Sequence, residues 1–197
     1  MASPVARRGQ AFAEGFALFA ECLLAGVWIA LASLPVVTAP AALAAAARHL
    51  AAHADGETAN WRTFWADFRA AWRRGWRTGA AMIGAAALLG LNLLVLAQEG
   101  VPARPGFALA TFAVAGLAAT VLLRAASAWT PASRWRDLFA LALARTRDDP
   151  SGTAILLGGV VVLTMCTWAL WLLAVPMIGC LTGAAVAVER RRLARQE

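Results

Sequence analysis

Apolar residues fall in long runs along this chain, separated by short stretches that carry arginine. The first run, residues 16–34 (FALFAECLLAGVWIALASL), is long enough to cross a ~30 Å hydrocarbon core as a helix. Pro35 breaks it, and Pro40 suits the first turn of a new helix. That next segment, residues 41–53, is Ala-rich and short. At ~1.5 Å per residue it barely crosses, so it is predicted as a short return span or a re-entrant segment. Further spans are predicted over 78–98, 107–129, 152–175 and 177–188, with Pro176 dividing the last two. Pro102 and Pro105 mark a turn at 99–106.

Two stretches between the runs have a different pattern. Wound as a helix, residues 60–77 (NWRTFWADFRAAWRRGWR) place Trp61, Phe64, Trp65, Phe68, Trp72 and Trp76 within an arc of roughly 120°. Arg62, Arg69, Arg73, Arg74 and Arg77 fall opposite, and Asn60 is a natural N-cap. Trp favours the water–lipid boundary, and the chain has no Tyr to share that role. The stretch therefore reads as a helix lying in the membrane surface, anchored by Trp61, Trp65, Phe68, Trp72 and Trp76. Residues 131–147 repeat the pattern more weakly through Trp135, Leu138 and Phe139. The predicted fold class is an all-α polytopic membrane bundle. It has one domain, five to six spans in hairpins and two amphipathic interfacial helices.

Composition agrees with this pattern. The 197 residues are 61% hydrophobic with a mean hydropathy of +0.65, against ~45–50% apolar in average soluble domains. The net charge is +7, and all eighteen basic residues that are not histidine are arginines. These arginines border apolar runs, so the expected partner is a bilayer with anionic lipids and not nucleic acid. Cys22, Cys166 and Cys180 lie in apolar segments without a CxxC, which indicates neither disulfides nor zinc.

Arginine placement also predicts topology. Two arginines precede residue 16, six lie between 48 and 77, four between 134 and 147, and four between 190 and 195. Basic segments favour the cytoplasm. All four can face inward only if the chain crosses an even number of times between them. That favours three hairpins with both termini cytoplasmic in a plasma membrane.

Few residues offer chemistry. Glu21 is the one carboxylate inside a predicted span, which makes it a candidate intramembrane site, with pairing to an arginine as the structural alternative. Arg124, near the end of its span, is expected to snorkel to the interface. His49 and His53 share a helix face at i, i+4, but no third ligand is fixed beside them, so a solvated helix end is expected and no metal. Gly179 and Gly183 form a GxxxG suited to close packing inside the bundle, and Asn92 can bond a neighbouring helix. The chain has no nucleophile–base set, phosphate loop or dinucleotide fingerprint, so neither an enzyme nor a cofactor is expected.

One family resemblance emerges. Trp28, then Leu34-Pro35-Val36-Val37-Thr38, then Pro40-Ala41 and a small-residue helix resemble the opening of the YesL-type family, domain of unknown function 624. Thr63-Phe64-Trp65-Ala66-Asp67-Phe68-Arg69 is similar to that family's FW..F helix. The resemblance covers residues 20–77. The polar Asn that relatives often carry just before the Trp is absent, with Ala25 and Gly26 in that region. It implies a bacterial integral membrane protein whose relatives are often encoded beside carbohydrate ABC-transport genes, and it carries over no functional residue. The expected function is an accessory or regulatory component of carbohydrate uptake, with an ABC permease as partner. The alternative is a small oligomeric transporter or channel.

Overall fold

The computed structural model describes residues 4–57, 60–98 and 103–194, with side chains from residue 15 onward. Residues 99–102 of the expected turn, Arg195, and the side chains of Arg7 and Arg8 lie outside the described residues. The described chain is helical throughout, with no strand.

Helix α1, Pro4–Ala32, ends where Leu34 precedes Pro35, because proline disfavours a helical residue before it. The LPVVT stretch then folds as a 3-10 turn, Val36–Thr38. The Thr38 hydroxyl donates to the Ala32 carbonyl at 2.5 Å and satisfies one of the acceptors freed at the helix end. Val36 holds a positive φ of 26°, an unusual conformation for a β-branched residue, so the turn carries some strain.

Helix α2, Ala39–Ala54, follows, with Pro40 in its first turn. Its sixteen residues span about 24 Å. The expected short helix is present, and it is the centre of the molecule. Pro40 to Ala47, His49 and Leu50 are all buried. Helices α1, α3 (Trp61–Leu96), α4 (Arg104–Ser127) and α7 (Ala174–Leu193) surround it. Alanine suits this position because a one-carbon side chain lets neighbouring backbones approach.

Helix α3 corrects one expectation. The two expected elements at 60–77 and 78–98 are one continuous helix, Trp61–Leu96, of 36 residues and about 54 Å. The polarity changes near Thr78, but no proline interrupts the hydrogen bonding there. Asn60 caps the helix, accepting from the Arg62 and Thr63 amides, and the Thr63 hydroxyl completes a capping box. Where a side chain on Gly79 would lie, the Val37 carbonyl of the LPVVT turn meets α3 instead. Further along, Asn92 donates to Thr111 of α4 at 2.5 Å, the interhelical bond its position predicts.

The second amphipathic stretch forms α5, Trp135–Asp148, four residues later than expected. Thr130 to Ser133 instead close a turn through the Ser133 hydroxyl. Trp135 packs over Gly75, and its indole donates to the Ala71 carbonyl of α3. The expected division at Pro176 lies elsewhere. Helix α6, Pro150–Ala169, ends before an extended Leu170, a 3-10 turn covers Trp171–Leu173, and Pro176 sits inside the first turn of α7. Proline is tolerated there because its missing N–H has no helical partner. Among the described residues, five helices are long and apolar enough to cross a membrane: α1, α3, α4, α6 and α7 with its leading turn.

The GxxxG lies in the α1–α7 crossing. A methyl on Gly179 would collide with the Cys22 carbonyl and the Gly26 backbone, whereas one on Gly183 would meet only the Cys22 sulfur. Gly179→Ala should therefore destabilise the protein by about 1–3 kcal/mol, as overpacking does. Gly183→Ala should cost less because the thiol can rotate, and Gly84→Ala, which faces open space, should be near neutral. Thermal unfolding in detergent, followed by circular dichroism, checks the order. Equal losses at Gly179 and Gly183 would contradict this packing.

Candidate functional site

The polar side chains collect at one end of the bundle. Arg190 of α7 donates to the Ala51 carbonyl and to Asp55, both at 2.6 Å, and so ties the end of α2 to α7. Arg48 of α2 meets Asp67 of α3 at 3.1 Å. Arg74 of α3 donates to the Pro131 carbonyl. Arg145 of α5 pairs with Glu189 of α7 at 2.6 Å, and Arg191 of α7 donates to Ser151 of α6 at 3.0 Å. The basic stretches 48–77, 134–147 and 190–192 therefore share one end. Trp168, 92% exposed, stands near the other end of α6, about 27 Å along the helix from Pro150.

Glu21 does not stand alone. Its Oε2 lies 3.1 Å from His49 Nε2, and its Oε1 lies 3.8 Å from His53 Nδ1. The i, i+4 spacing on α2 turns both imidazoles toward the same carboxylate. His49 is only 4% exposed, where a solvated helix end was expected, and its Nδ1 has no partner among the described residues. The difference arises because α1 crosses α2 with Glu21 facing it, a contact that spacing along α2 cannot reveal. Among the described residues no group of three His, Cys, Asp or Glu side chains is placed to hold a metal ion.

An aromatic series continues from this pair. Trp28 meets His49 edge-on at 4.8 Å and Phe64 at 5.1 Å. Phe64 meets Trp65 at 5.5 Å, and Trp65 meets Phe68 at 5.3 Å. The stripe on α3 thus turns partly inward. Phe64 is buried, and Trp65, Phe68 and Trp72 are half-buried against the core. Trp61 and Trp76 remain 58% and 55% exposed. Edge-to-face pairs of this kind add about 0.5–1.5 kcal/mol each beyond their buried area.

These contacts join Trp28, the LPVVT turn and the FWADFR stretch into one unit around α2. Residues 22–93 match the family model described as Protein of unknown function, DUF624. No curated protein and no solved structure matches the chain. The DUF624 stretch runs from the second half of α1 to near the end of α3. The matched stretch therefore covers the contacts that hold α1, α2 and α3 together. The Arg48–Asp67 and Trp28–Phe64 contacts both lie within it.

Arg124 lies outside the DUF624 stretch. It is 1% exposed and does not snorkel. Its Nη2 donates to the Asp149 carboxylate at 3.2 Å, the Asp149 carbonyl at 3.3 Å and the Thr153 hydroxyl at 3.2 Å. Asp149 also caps α6 by accepting from the Gly152 amide at 3.0 Å. A partner inside the bundle removes the need to reach water. The Gly152 amide above all, then the Arg124 and Ser151 hydrogen bonds, hold the Asp149 carboxyl below the usual carboxylate range, against the opposing effect of burial. Gly152 is required here, because a methyl would strike both Asp149 and Arg124. The sequence signal for this site was Asp149-Pro150, an N-cap followed by a first-turn proline, though it did not name the cation.

Arg124 is buried and Asp149 half-buried, and Asp149 keeps its Gly152 and Ser151 bonds without Arg124, so losing the charged hydrogen bonds costs about 1–3 kcal/mol. Arg124→Gln should therefore lower the unfolding temperature far more than Arg69→Gln on the exposed side of α3. Because Asp149 is held low in the fold, its contribution is complete above the usual carboxylate range and is lost as pH falls through the lowered value. Asp149→Asn should flatten that acid-side loss of stability. Unfolding temperature measured against pH for both chains checks this, and parallel curves would refute it.

Proposed function

We propose that the protein is an accessory or regulatory component of a bacterial plasma membrane that works beside a carbohydrate permease. Its basic end, with both termini, faces the cytoplasm. The observation that carries this reading is the outward side of α3. There Trp61, Arg62, Trp65 and Arg69 line a shallow groove, and Arg62 lies over the Trp61 ring at 5.8 Å. Trp and Arg together are the residues most enriched at the energetic centres of protein interfaces. Arg48, Arg74, Arg145, Arg190 and Arg192 at this end are tied to carboxylates or carbonyls elsewhere in the bundle, whereas Arg62 and Arg69 have no ion-pair partner among the described residues. The carbohydrate context comes from the family resemblance alone.

The rival, a transporter in its own right, needs a polar path past Glu21. Glu21 faces His49 and His53 inside the bundle, and the cavity beside Cys22, about 360 Å³, is lined by apolar residues such as Leu18, Phe19 and Leu50, with Arg190, which is tied to Asp55, as its one charged side chain. That surrounding favours the accessory reading.

Cross-linking and a tagged pull-down from native membranes, in cells grown on simple and complex sugars, test the proposal. Recovery of a sugar permease or solute-binding lipoprotein is expected, and it should be lost in the Trp61→Ala, Arg62→Ala double variant while membrane placement is kept. Recovery of the protein alone, as a defined oligomer, would overturn it and turn attention to solute flux in liposomes.

A further inference from the structure

Helices α3 and α4 leave a gap along part of their length. At one place Asn92 bonds Thr111, and toward the basic end α5 lies across both helices. Between these points the facing residues include Ala81, Ala85, Ala115 and Ala118, whose side chains are too short to close the gap. A groove of about 690 Å³ results. Phe139 and Leu122 wall one end of it, and Leu89 lies toward the other.

The groove's polar groups stand at the basic end: Arg77 and Thr78 from α3, and Arg136 from α5. Both arginines are exposed, and neither makes an ion pair or a hydrogen bond among the described residues. This sets them apart from Arg48, Arg74, Arg124, Arg145 and Arg190, which have partners in other helices. Two guanidiniums therefore converge on the mouth of an apolar slot and lack an anion.

The length of the slot identifies the ligand. From Arg77 to Leu89 it runs about 18 Å along α3. Half of a hydrocarbon core is about 15 Å deep. A hydrocarbon chain of one leaflet would fill the groove with its headgroup beside Arg77 and Arg136. Guanidinium is suited to phosphate because it offers paired N–H donors.

We propose that the α3–α4 groove is a binding site for an anionic phospholipid. One acyl chain lies along the alanines of both helices, and Arg77 and Arg136 hold the phosphate-bearing headgroup. The site is separate from the Trp61 groove and does not depend on the permease reading. The lipid would supply the packing between α3 and α4 that alanine cannot.

Native mass spectrometry tests this with the full chain in nanodiscs of equal phosphatidylglycerol and phosphatidylcholine. Two surface arginines should give the anionic lipid a preference of about tenfold or more in retained adducts. Arg77→Gln with Arg136→Gln should bring retention of both lipids to the same level, whereas Arg69→Gln with Arg73→Gln should leave the preference intact. Ala85→Leu with Ala118→Leu fills the slot and should remove the retained lipid whichever headgroup it carries. Equal retention of both lipids by the unaltered chain would overturn the proposal. So would a preference that survives loss of Arg77 and Arg136, or a dimer that occupies the groove and is broken by the leucine pair.

Discussion

Everything in this fold depends on α2 being able to sit in the middle. Pro40 to Ala47 is buried on all sides, and six of those eight residues are alanine. A helix this thin allows α1, α3, α4 and α7 to approach close to its backbone. Packing gain in lipid comes from such contact and not from expelling water, so small side chains help where large ones would hold neighbours apart. The arrangement has a consequence at each end. At one end Thr38 returns a hydrogen bond to Ala32, and Val37 lies against Gly79. At the other, Arg48, His49, His53 and Asp55 all find partners on surrounding helices.

That second end explains how a chain with 18 arginines and few carboxylates remains compact there. Four acids at this end each hold a basic side chain on another helix. Glu21 serves α2, Asp67 serves α2, Asp149 serves α4, and Glu189 serves α5. The Glu21 pair closes the α1–α2 hairpin, the Asp67 and Asp149 pairs connect one hairpin to the next, and the Glu189 pair ties α5 to α7. Surface pairs of this type contribute little, but those involving His49 and Arg124 are buried, and breaking them is costly.

Much of this was legible in the sequence. Apolar run length and proline placement gave the helices their approximate bounds, and arginine clustering anticipated that the basic stretches would meet. Asn92, the GxxxG and the Asn60 cap act as their local chemistry implies. What could not be read were the contacts between elements. His49 looks like a solvated helix end until α1 brings Glu21 against it, and Arg124 looks like an interfacial residue until α6 begins with Asp149 beside it. Pro176 looks like a division because sequence alone cannot show that α7 has already started. The aromatic stripe was visible from its period, but which aromatics turn inward depends on where Trp28 lies. The DUF624 match covers the three-helix unit, and the second half of the chain, outside that match, packs on it.

The proposed topology has three helical hairpins, which would bring the basic stretches 48–77, 134–147 and 190–192 to one side of the membrane. Cysteine labelling in sealed vesicles measures this directly. With Cys22, Cys166 and Cys180 replaced by alanine, single cysteines at Glu57, Asp137, Arg191 and Gln98 can be treated with an impermeant maleimide. The account predicts that Glu57→Cys, Asp137→Cys and Arg191→Cys label from the same side and Gln98→Cys from the opposite side. Labelling of any two of the first three from opposite sides would contradict it.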